Sequence, residues 1–360
     1  SGGVDSSVAA ILLNNQGYHV IGITMKLWDF ENMGGNINQE SGCCSLESFN
    51  DAKLICASIG IPHYVVDFSK EFNENVVNDF VDEYLAGRTP NPCVQCNTKI
   101  KWSTLLDKAE QLGADYIAAG HYAQVQYNAR SKRFELLRGL DEKKDQSYAL
   151  WGLSQKSLSK TLFPIGKYTK NEVRNLAKQF NLRTAEKSES QEICFIPDNN
   201  YHRLLKKLKP ELQNSSGGNF EDSNGNVLGT HDGYPFYTIG QRKGLGGGYT
   251  EPMYVVDIEA KSNKIVIGKR DELFHKKFVV ENINLIKIDS INEPLKAKIK
   301  IRYNDIGHPG IIFPYNNKIF AEFTEPQKSI TPGQSAVFFD KNSVIGGGII
   351  EKRIQDKSVI

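Results

Sequence analysis

The chain opens with Ser1-Gly2-Gly3-Val4-Asp5-Ser6-Ser7, and Val8, Ile11 and Leu12 follow at helical spacing. Paired glycines let a backbone turn sharply and approach an anion, and the helix that follows presents its positive end to the same point. Such a loop joins a strand to a helix. It therefore predicts an α/β fold, with a short strand expected ahead of Ser1. Ser1, Ser6 and Ser7 add hydroxyl donors. Asp5 is expected either to position the loop or to meet magnesium. The lysine of the G-x-x-x-x-G-K-[ST] loop is missing, which points away from kinase-type and switch-type nucleotide hydrolases.

The pattern downstream agrees with that architecture. His19 to Met25 reads as a buried strand, Pro62 to Val66 as a second strand, and Tyr116 to Ala119 as another. Between them lie helical stripes: Leu46, Phe49, Ala52, Ile55 and Ile59; then Phe72, Val76, Val77, Phe80, Val81, Tyr84 and Leu85; then Trp102, Leu105, Leu106, Ala109 and Leu112. Strands separated by helices imply right-handed crossovers and a parallel sheet. Tyr122 to Tyr127 and Arg133 to Leu137 read as a hairpin, and Thr169 with Glu172 as a capping box. Asp29 to Cys44 and Glu186 to Glu192 have the composition of mobile loops.

The character changes after about Ile196. A basic helical stretch, His202 to Lys209, leads into a Gly/Ser/Asn-rich segment from Asn214 to Gly229. Tyr254 to Ile258 and Lys264 to Ile267 resemble a hairpin. Short strands then follow at Phe278 to Ile286, Lys296 to Tyr303, Ile319 to Phe323, Ser335 to Phe339 and Val344 to Ile350, the rhythm of a small β-barrel. Domain boundaries are expected at 1–199, 200–271 and 272–354.

Net charge is +2, so only local basic patches can argue for a nucleic-acid partner. No apolar run approaches the length of a membrane span. The six cysteines are too few for a disulfide scaffold in 360 residues, and suit catalytic or metal-binding use in a reducing compartment. Cys93 and Cys96 form a Cys-x-x-Cys in a loop between two strong helices; Cys194 follows about a hundred residues later. Persulfide chemistry needs one thiol to carry sulfur and a second to release it. Three cysteines could instead hold an iron–sulfur cluster with one open iron site. Half of a zinc site, completed by His63 or His121, is a third reading.

The opening string resembles the pyrophosphate loop of the N-type ATP pyrophosphatases, which cleave ATP between the α and β phosphates. A narrower resemblance covers nearly the whole chain. Gly87-Arg88-Thr89-Pro90-Asn91-Pro92, Cys96-Asn97, Gly120-His121-Tyr122, Lys144-Asp145-Gln146-Ser147-Tyr148 and Ile193-Cys194-Phe195-Ile196 fall in the order seen in the tRNA-specific 2-thiouridylases (MnmA/TrmU). So do Thr238-Ile239-Gly240-Gln241-Arg242-Lys243-Gly244-Leu245-Gly246, Arg302-Tyr303 and Thr331-Pro332-Gly333-Gln334-Ser335. The resemblance implies a parallel-sheet, adenine nucleotide alpha-hydrolase-like (PP-loop) domain, a small linking domain and a C-terminal β-barrel.

The resemblance also implies roles. ATP would be held by Ser1, Gly2, Gly3, Val4, Asp5, Ser6, Met25 and Gly120, with Mg2+ offsetting charge on pyrophosphate. Cys96 and Cys194 would be the catalytic cysteines, able to pair as a disulfide. Asn91, Pro92, Cys93, His121, Lys144, Asp145, Gln146, Arg302, Tyr303 and Gln334 would contact tRNA. The substrate would be the wobble uridine of tRNAs of the Lys, Glu and Gln type. A sulfur carrier or cysteine desulfurase would supply the persulfide to a monomeric cytoplasmic enzyme. Some relatives carry aspartate where Cys93 stands, so the acid–base group differs here, and Cys93, Cys96 and Cys194 would make three ligands for a 4Fe-4S cluster. Two competing readings are an adenylating GMP- or NAD-type synthetase, which shares the loop but needs neither cysteine, and a non-catalytic RNA-binding protein.

Overall fold

A computed structural model describes residues 2–28, 46–187, 193–213 and 217–354. Ser1, Cys43, Cys44, the expected Asp29–Cys44 loop and positions 188–192 lie outside the described residues. The chain divides into two compact units. One comprises Ser1–Val77, Pro92–Leu204 and Asn342–Val344; the other comprises Asn78–Asn91, Leu205–Lys341 and Ile345–Ile360.

The first unit begins with α1 (Val4–Asn15), β1 (Gly22–Lys26), α2 (Leu46–Ser58), β2 (His63–Asp67) and α3 (Ser69–Phe72), which continues as a π-helical turn over Asn73–Val77. The next helix, α4 (Asn78–Leu85), belongs to the second unit. The first unit resumes at α5 (Pro92–Gln95), a second π-helical stretch at Cys96–Thr104, α6 (Leu105–Gln111) and β3 (Ile117–Ala118). A hairpin of β4 (Ala123–Asn128) and β5 (Arg133–Arg138) comes next, then α7 (Gln155–Ser159), β6 (Thr161–Leu162) and α8 (Lys170–Gln179).

The crossovers produce the expected parallel pairing, distributed over two two-stranded sheets: β1 with β2, and β3 with β6. Val4, Val8 and Ile11 of α1 bury against Ile55 of α2 and Val173 and Ala177 of α8. The capping box is present: the Thr169 side chain accepts from the Glu172 amide, and Glu172 Oε2 accepts from the Thr169 amide at 2.7 Å. It fixes where α8 starts and so where Lys170 stands.

Helix α9 (Tyr201–Leu208) is the expected basic stretch. In the second unit, Lys206 Nζ lies 4.9 Å from the Phe236 ring centroid. The Gly/Ser/Asn-rich segment then does more than link. β7 (Gly218–Glu221) and β8 (Val227–His231) form a hairpin whose turn is pinned by Asp222, which accepts from the amides of Asn224 and Asn226, both at 2.9 Å. With β9 (Tyr254–Glu259) and β10 (Lys264–Gly268) they make a four-stranded sheet in the order β8-β7-β10-β9.

The remaining strands are β11 (Phe274–Leu285), β12 (Leu295–Lys300), β13 (His308–Tyr315), β14 (Lys318–Lys328), β15 (Ser335–Asp340) and β16 (Ser343–Ile354). They neighbour in the order β11-β14-β13-β12-β15-β16, and β16 pairs back on β11, which closes a six-stranded barrel. Phe278, Ile299, Ile312, Phe323 and Phe338 fill it. Strand β13 was not expected, because Pro309 and Gly310 near its start read as a turn. In the ladder Pro309 stands opposite Lys298 and Gly310 opposite Phe323, where a β-carbon would lie 2.6 Å from the Glu322 carbonyl oxygen.

Candidate active site

The phosphate loop sits at the start of α1, whose N-cap, Gly3, makes no side-chain capping bond. The amides of a first helical turn have no intrahelical acceptors, so this end is an anion site by construction. The Ser6 and Ser7 hydroxyls donate to the Gly3 carbonyl at 3.0 and 2.7 Å, which ties the loop to its own helix. Gly2 is buried against α2, where a β-carbon would strike the Ser48 carbonyl and lie 2.9 Å from Asp51 Cβ. Gly120 is equally constrained: a β-carbon there would lie 2.6 Å from both Asp5 C and Ser6 N. Gly2, Gly3, Val4, Asp5, Ser6 and Gly120 are thus brought together. Met25 is half-buried on β1.

The sequence left the role of Asp5 open between loop anchor and metal ligand. In the structure Lys170 Nζ donates to both Asp5 oxygens at 2.8 Å, and the Tyr122 hydroxyl donates to Oδ1 at 2.8 Å. Asp5 therefore anchors the loop to the start of α8. Lys170 was missed because it lies 165 residues away; its only signal was the capping box beside it. A second pair follows the same logic. Lys187 Nζ meets Asp51 at 2.7 Å, beside Gly2, and Arg174 of α8 donates to the carbonyls of Ala185 and Lys187 at 2.8 and 3.3 Å. One helix thus braces the phosphate loop and the chain that leads toward Cys194.

Among the described residues Cys56, Cys93, Cys96 and Cys194 are thiols. Cys56 is buried in α2, and desolvation raises its pKa, as expected of a structural cysteine. Cys93 is exposed on α5, whereas Cys96 is buried at the first position of the Cys96–Thr104 π-helical stretch. Asn97 holds that stretch: its amide donates to the Ala149 carbonyl at 3.0 Å, and its oxygen accepts from Lys101 at 2.8 Å. π-helical turns recur at functional sites because they displace one side chain from helical register. The Asn73–Val77 turn packs on this stretch, and the preceding Phe72 meets Phe195 edge-on at 5.5 Å. The segments bearing Cys96 and Cys194 therefore share one support. No three His, Cys, Asp or Glu side chains among the described residues stand together as a metal site. As placed, the cysteines do not fit a cluster, and the zinc reading with His63 or His121 finds no ligand set.

Family profiles match along the chain: a tRNA methyl transferase HUP domain over residues 1–198, a tRNA methyl transferase PRC-barrel domain over 206–269, and an aminomethyltransferase beta-barrel domain over 275–350. A tRNA-specific 2-thiouridylase MnmA of Salinibacter ruber is 50% identical over 355 residues, spanning 98% of this chain and 93% of the relative. A tRNA-specific 2-thiouridylase MnmA 2 of a Thermoanaerobacter species is 49% identical over 99% of this chain and 97% of its own length. The Cytophaga hutchinsonii relative of the same name is 49% identical over 98% and 95%. The chain belongs to the tRNA-specific 2-thiouridylase family.

The residues that this family resemblance assigned to tRNA fall into distinct environments. Asp145 is buried: its carboxylate accepts from Arg138 Nε at 2.9 Å, from the Gly139 and Ser147 amides at 3.1 Å, and from the Ser147 hydroxyl at 3.0 Å. It shapes the Lys144–Gln146 turn from within. Gln146 Oε1 accepts from the Tyr122 amide at 3.0 Å, which ties that turn to the Gly120–Tyr122 segment. The His121 ring lies between Trp102 and Phe163, with centroids 5.3 and 5.8 Å away. The residue as a whole is half-buried, but Nδ1 is shut off and has no partner. Burial, reinforced by Lys101, holds its pKa well below the usual histidine range.

In the second unit, Gln334 donates to the carbonyls of Thr89 and Pro90, both at 3.0 Å. It thereby fixes the chain entering Asn91. Arg302 Nη2 donates to the Ser329 carbonyl at 2.8 Å and reaches the Thr331 hydroxyl at 3.3 Å. Tyr303 is exposed. No helix among the described residues is long and apolar enough to cross a membrane.

Proposed function

We propose that this chain uses ATP and Mg2+ to activate C2 of a wobble uridine in tRNA and replaces its oxygen with sulfur. The observation that carries this reading is the combination, in one compact unit, of an uncapped phosphate loop anchored by Asp5–Lys170 with two cysteine segments resting on the Phe72–Val77 support. Uridine O2 attacks the α-phosphorus of ATP; the O2–P bond forms and pyrophosphate leaves. The amides of the Gly2–Ser6 loop meet the phosphates, and Gly120 keeps the loop at its height. Mg2+, when bound with ATP, would offset the charge of the departing pyrophosphate.

Cys194 then carries the incoming sulfur as a persulfide received from a carrier or desulfurase protein. Its terminal sulfur attacks C2, and AMP leaves with the former O2. The Cys96 thiolate attacks the Cys194 sulfur of the resulting C2–S–S linkage. That breaks the S–S bond, leaves 2-thiouridine and joins Cys96 to Cys194, and an external dithiol reduces the pair for the next cycle. Asn91, Pro92 and Cys93 stand at the uridine; His121 and the Lys144–Gln146 turn border it; Arg302, Tyr303 and Gln334 serve the tRNA body. The GMP- or NAD-type synthetase reading leaves both cysteines without a task, and methyl transfer would use neither the phosphate loop nor the cysteine pair.

Incubation with ATP, Mg2+, a persulfide donor and unmodified tRNA, followed by digestion, should yield 2-thiouridine. Cys194→Ser should abolish that product while sparing pyrophosphate release. Absence of thiolation by the complete protein would sink the proposal. Iron and sulfide analysis after anaerobic purification, with stoichiometric iron found, would replace the persulfide route with a cluster-assisted one.

A further inference from the structure

The reaction above ends with Cys96 joined to Cys194, and an external dithiol must then reach one of the two sulfurs. Thiol–disulfide exchange depends on access to the sulfur that is attacked. Cys96 is 9% exposed, which denies that sulfur to a protein-sized reductant. Cys194 is half-buried, and attack there would cover the sulfur that must next receive a persulfide. Neither cysteine of the linked pair is therefore a good entry point for reducing equivalents.

Cys93 differs from both. It is exposed, and it stands three residues before Cys96 on one continuous run of helix. Helix α5 passes directly into the Cys96–Thr104 stretch, with Gln95 at φ −60° and ψ −46°. Three residues of helix set two α-carbons about 5 Å apart, within the span that a disulfide bridges. The run is held in place around the two thiols: Pro92 and Val94 are buried, and Asn97 is bonded to the Ala149 carbonyl. An accessible thiol followed at Cys-x-x-Cys spacing by a shielded one is the layout of a dithiol redox pair. Cys93, Cys96 and Cys194 all belong to the first unit.

We infer that Cys93 and Cys96 form a redox pair that passes reducing equivalents from an external dithiol to Cys194. The Cys93 thiolate attacks the Cys96 sulfur of the Cys96–Cys194 disulfide. The Cys93–Cys96 bond forms, the Cys96–Cys194 bond breaks, and Cys194 leaves as a thiolate that takes up the proton lost from Cys93. The external dithiol then attacks the exposed Cys93 sulfur, and Cys96 leaves as a thiolate and is protonated by the attacking thiol. The second thiol of the reductant displaces Cys93, gives it its proton and closes the reductant's own disulfide. Two electrons pass from the dithiol to the protein, and all three cysteines return to thiols. Cys194 regains its thiol before the reductant arrives, ready for the next persulfide.

The inference takes its starting disulfide from the sulfur-transfer reading, so the test is run on the complete protein without tRNA. The protein is oxidised with about one equivalent of diamide, quenched in acid, alkylated and digested, and its disulfides are mapped by mass spectrometry. A Cys93–Cys96 linkage should predominate in the parent and persist in Cys194→Ser, whereas Cys93→Ser should hold Cys96–Cys194 instead. Reduction of oxidised Cys93→Ser by thioredoxin, used as the probe dithiol, should be roughly tenfold slower than reduction of the oxidised parent. A parent without the Cys93–Cys96 linkage, or equal reduction rates in the two proteins, would overturn the pair. In thiolation assays, the recycling rate of Cys93→Ser relative to its own first turnover should fall by the same factor. Absence of thiolation in the parent would count against the sulfur-transfer reading alone, because the disulfide map and the reduction rates decide the pair.

Discussion

The start of α1 and the Thr238–Gln334 cavity of the second unit are both rich in polar groups, and they use them in opposite ways. At α1 the donors are main-chain amides, and the nearby charges are already matched: Asp5 with Lys170, and Asp51 with Lys187. At the cavity the donors are side chains already engaged with neighbours: Arg302 with the Ser329 carbonyl, and Gln334 with the carbonyls of Thr89 and Pro90. A helix start needs no net charge because its partial charges are fixed by the fold, so its fields are short-ranged and directional. Side-chain donors bonded to distant carbonyls instead tie one stretch of chain to another. The first arrangement suits a site where a reacting phosphate must be placed to a fraction of an ångström. The second suits holding the chain that enters Asn91 in place.

That contrast can be broken most sharply at Gly120. Gly120→Ala pushes a methyl group into the Asp5–Ser6 backbone and displaces the loop by up to about 1 Å. Pyrophosphate release should drop about 100-fold, while tRNA affinity and its salt slope stay at the parental values. A change in the slope would mean that the loop also serves tRNA grip.

Lys170→Met sharpens the same point. It leaves the Asp5 carboxylate with Tyr122 alone, and Lys170 is 7% exposed. The expected outcome is a loss of about 2 kcal/mol in urea unfolding, reduced from the buried-pair range because Asp5 is partly accessible. Turnover should fall by roughly tenfold, and Lys170→Arg should restore part of the stability but little of the turnover. In the second unit, Gln334→Leu removes both bonds to Thr89 and Pro90. It should cost about 1–2 kcal/mol and weaken tRNA several-fold with turnover of bound tRNA preserved.

The smallest effect is one of pH. Unfolded, His121 takes up a proton near pH 6.5; folded, it does so only at much lower pH. Its contribution to stability is therefore full above about pH 6.5 and is lost as the pH falls toward the folded pKa, at up to about 1.4 kcal/mol per pH unit. His121→Phe, flanked by Trp102 and Phe163, should flatten the decline in unfolding midpoint between pH 7.5 and pH 5.5. An unchanged decline would show that the ring is protonated in the native state.

Much of the architecture was legible in local pattern. Most helices and strands expected in the first unit lie within a few residues of their apolar periodicity, and the Thr169 capping box is where spacing put it, but Cys93 and Cys96, expected in a loop, stand on α5 and at the start of a π-helical stretch. Strand β13 was not legible, because Pro309 and Gly310 signal a turn unless neighbouring strands supply the ladder. The hairpin of β7 and β8 was hidden for a similar reason: its polar composition reads as a linker until Asp222 closes the turn. Of the site, the phosphate loop and the cysteines stood out because their chemistry is carried by residue type at short spacing.

By itself, then, the sequence determined the α/β start, the barrel end, the anion-binding loop and the presence of thiols suited to sulfur transfer. Only the tertiary structure decided what the polar groups do. It made Asp5 an anchor, buried Asp145 as the internal post of its turn, and turned Gln334 toward Thr89 and Pro90. The reason is physical. Apolar periodicity reports which face of an element is buried and is written locally, whereas the partner of a buried charge or hydroxyl is chosen by whichever distant segment the fold brings within 3 Å.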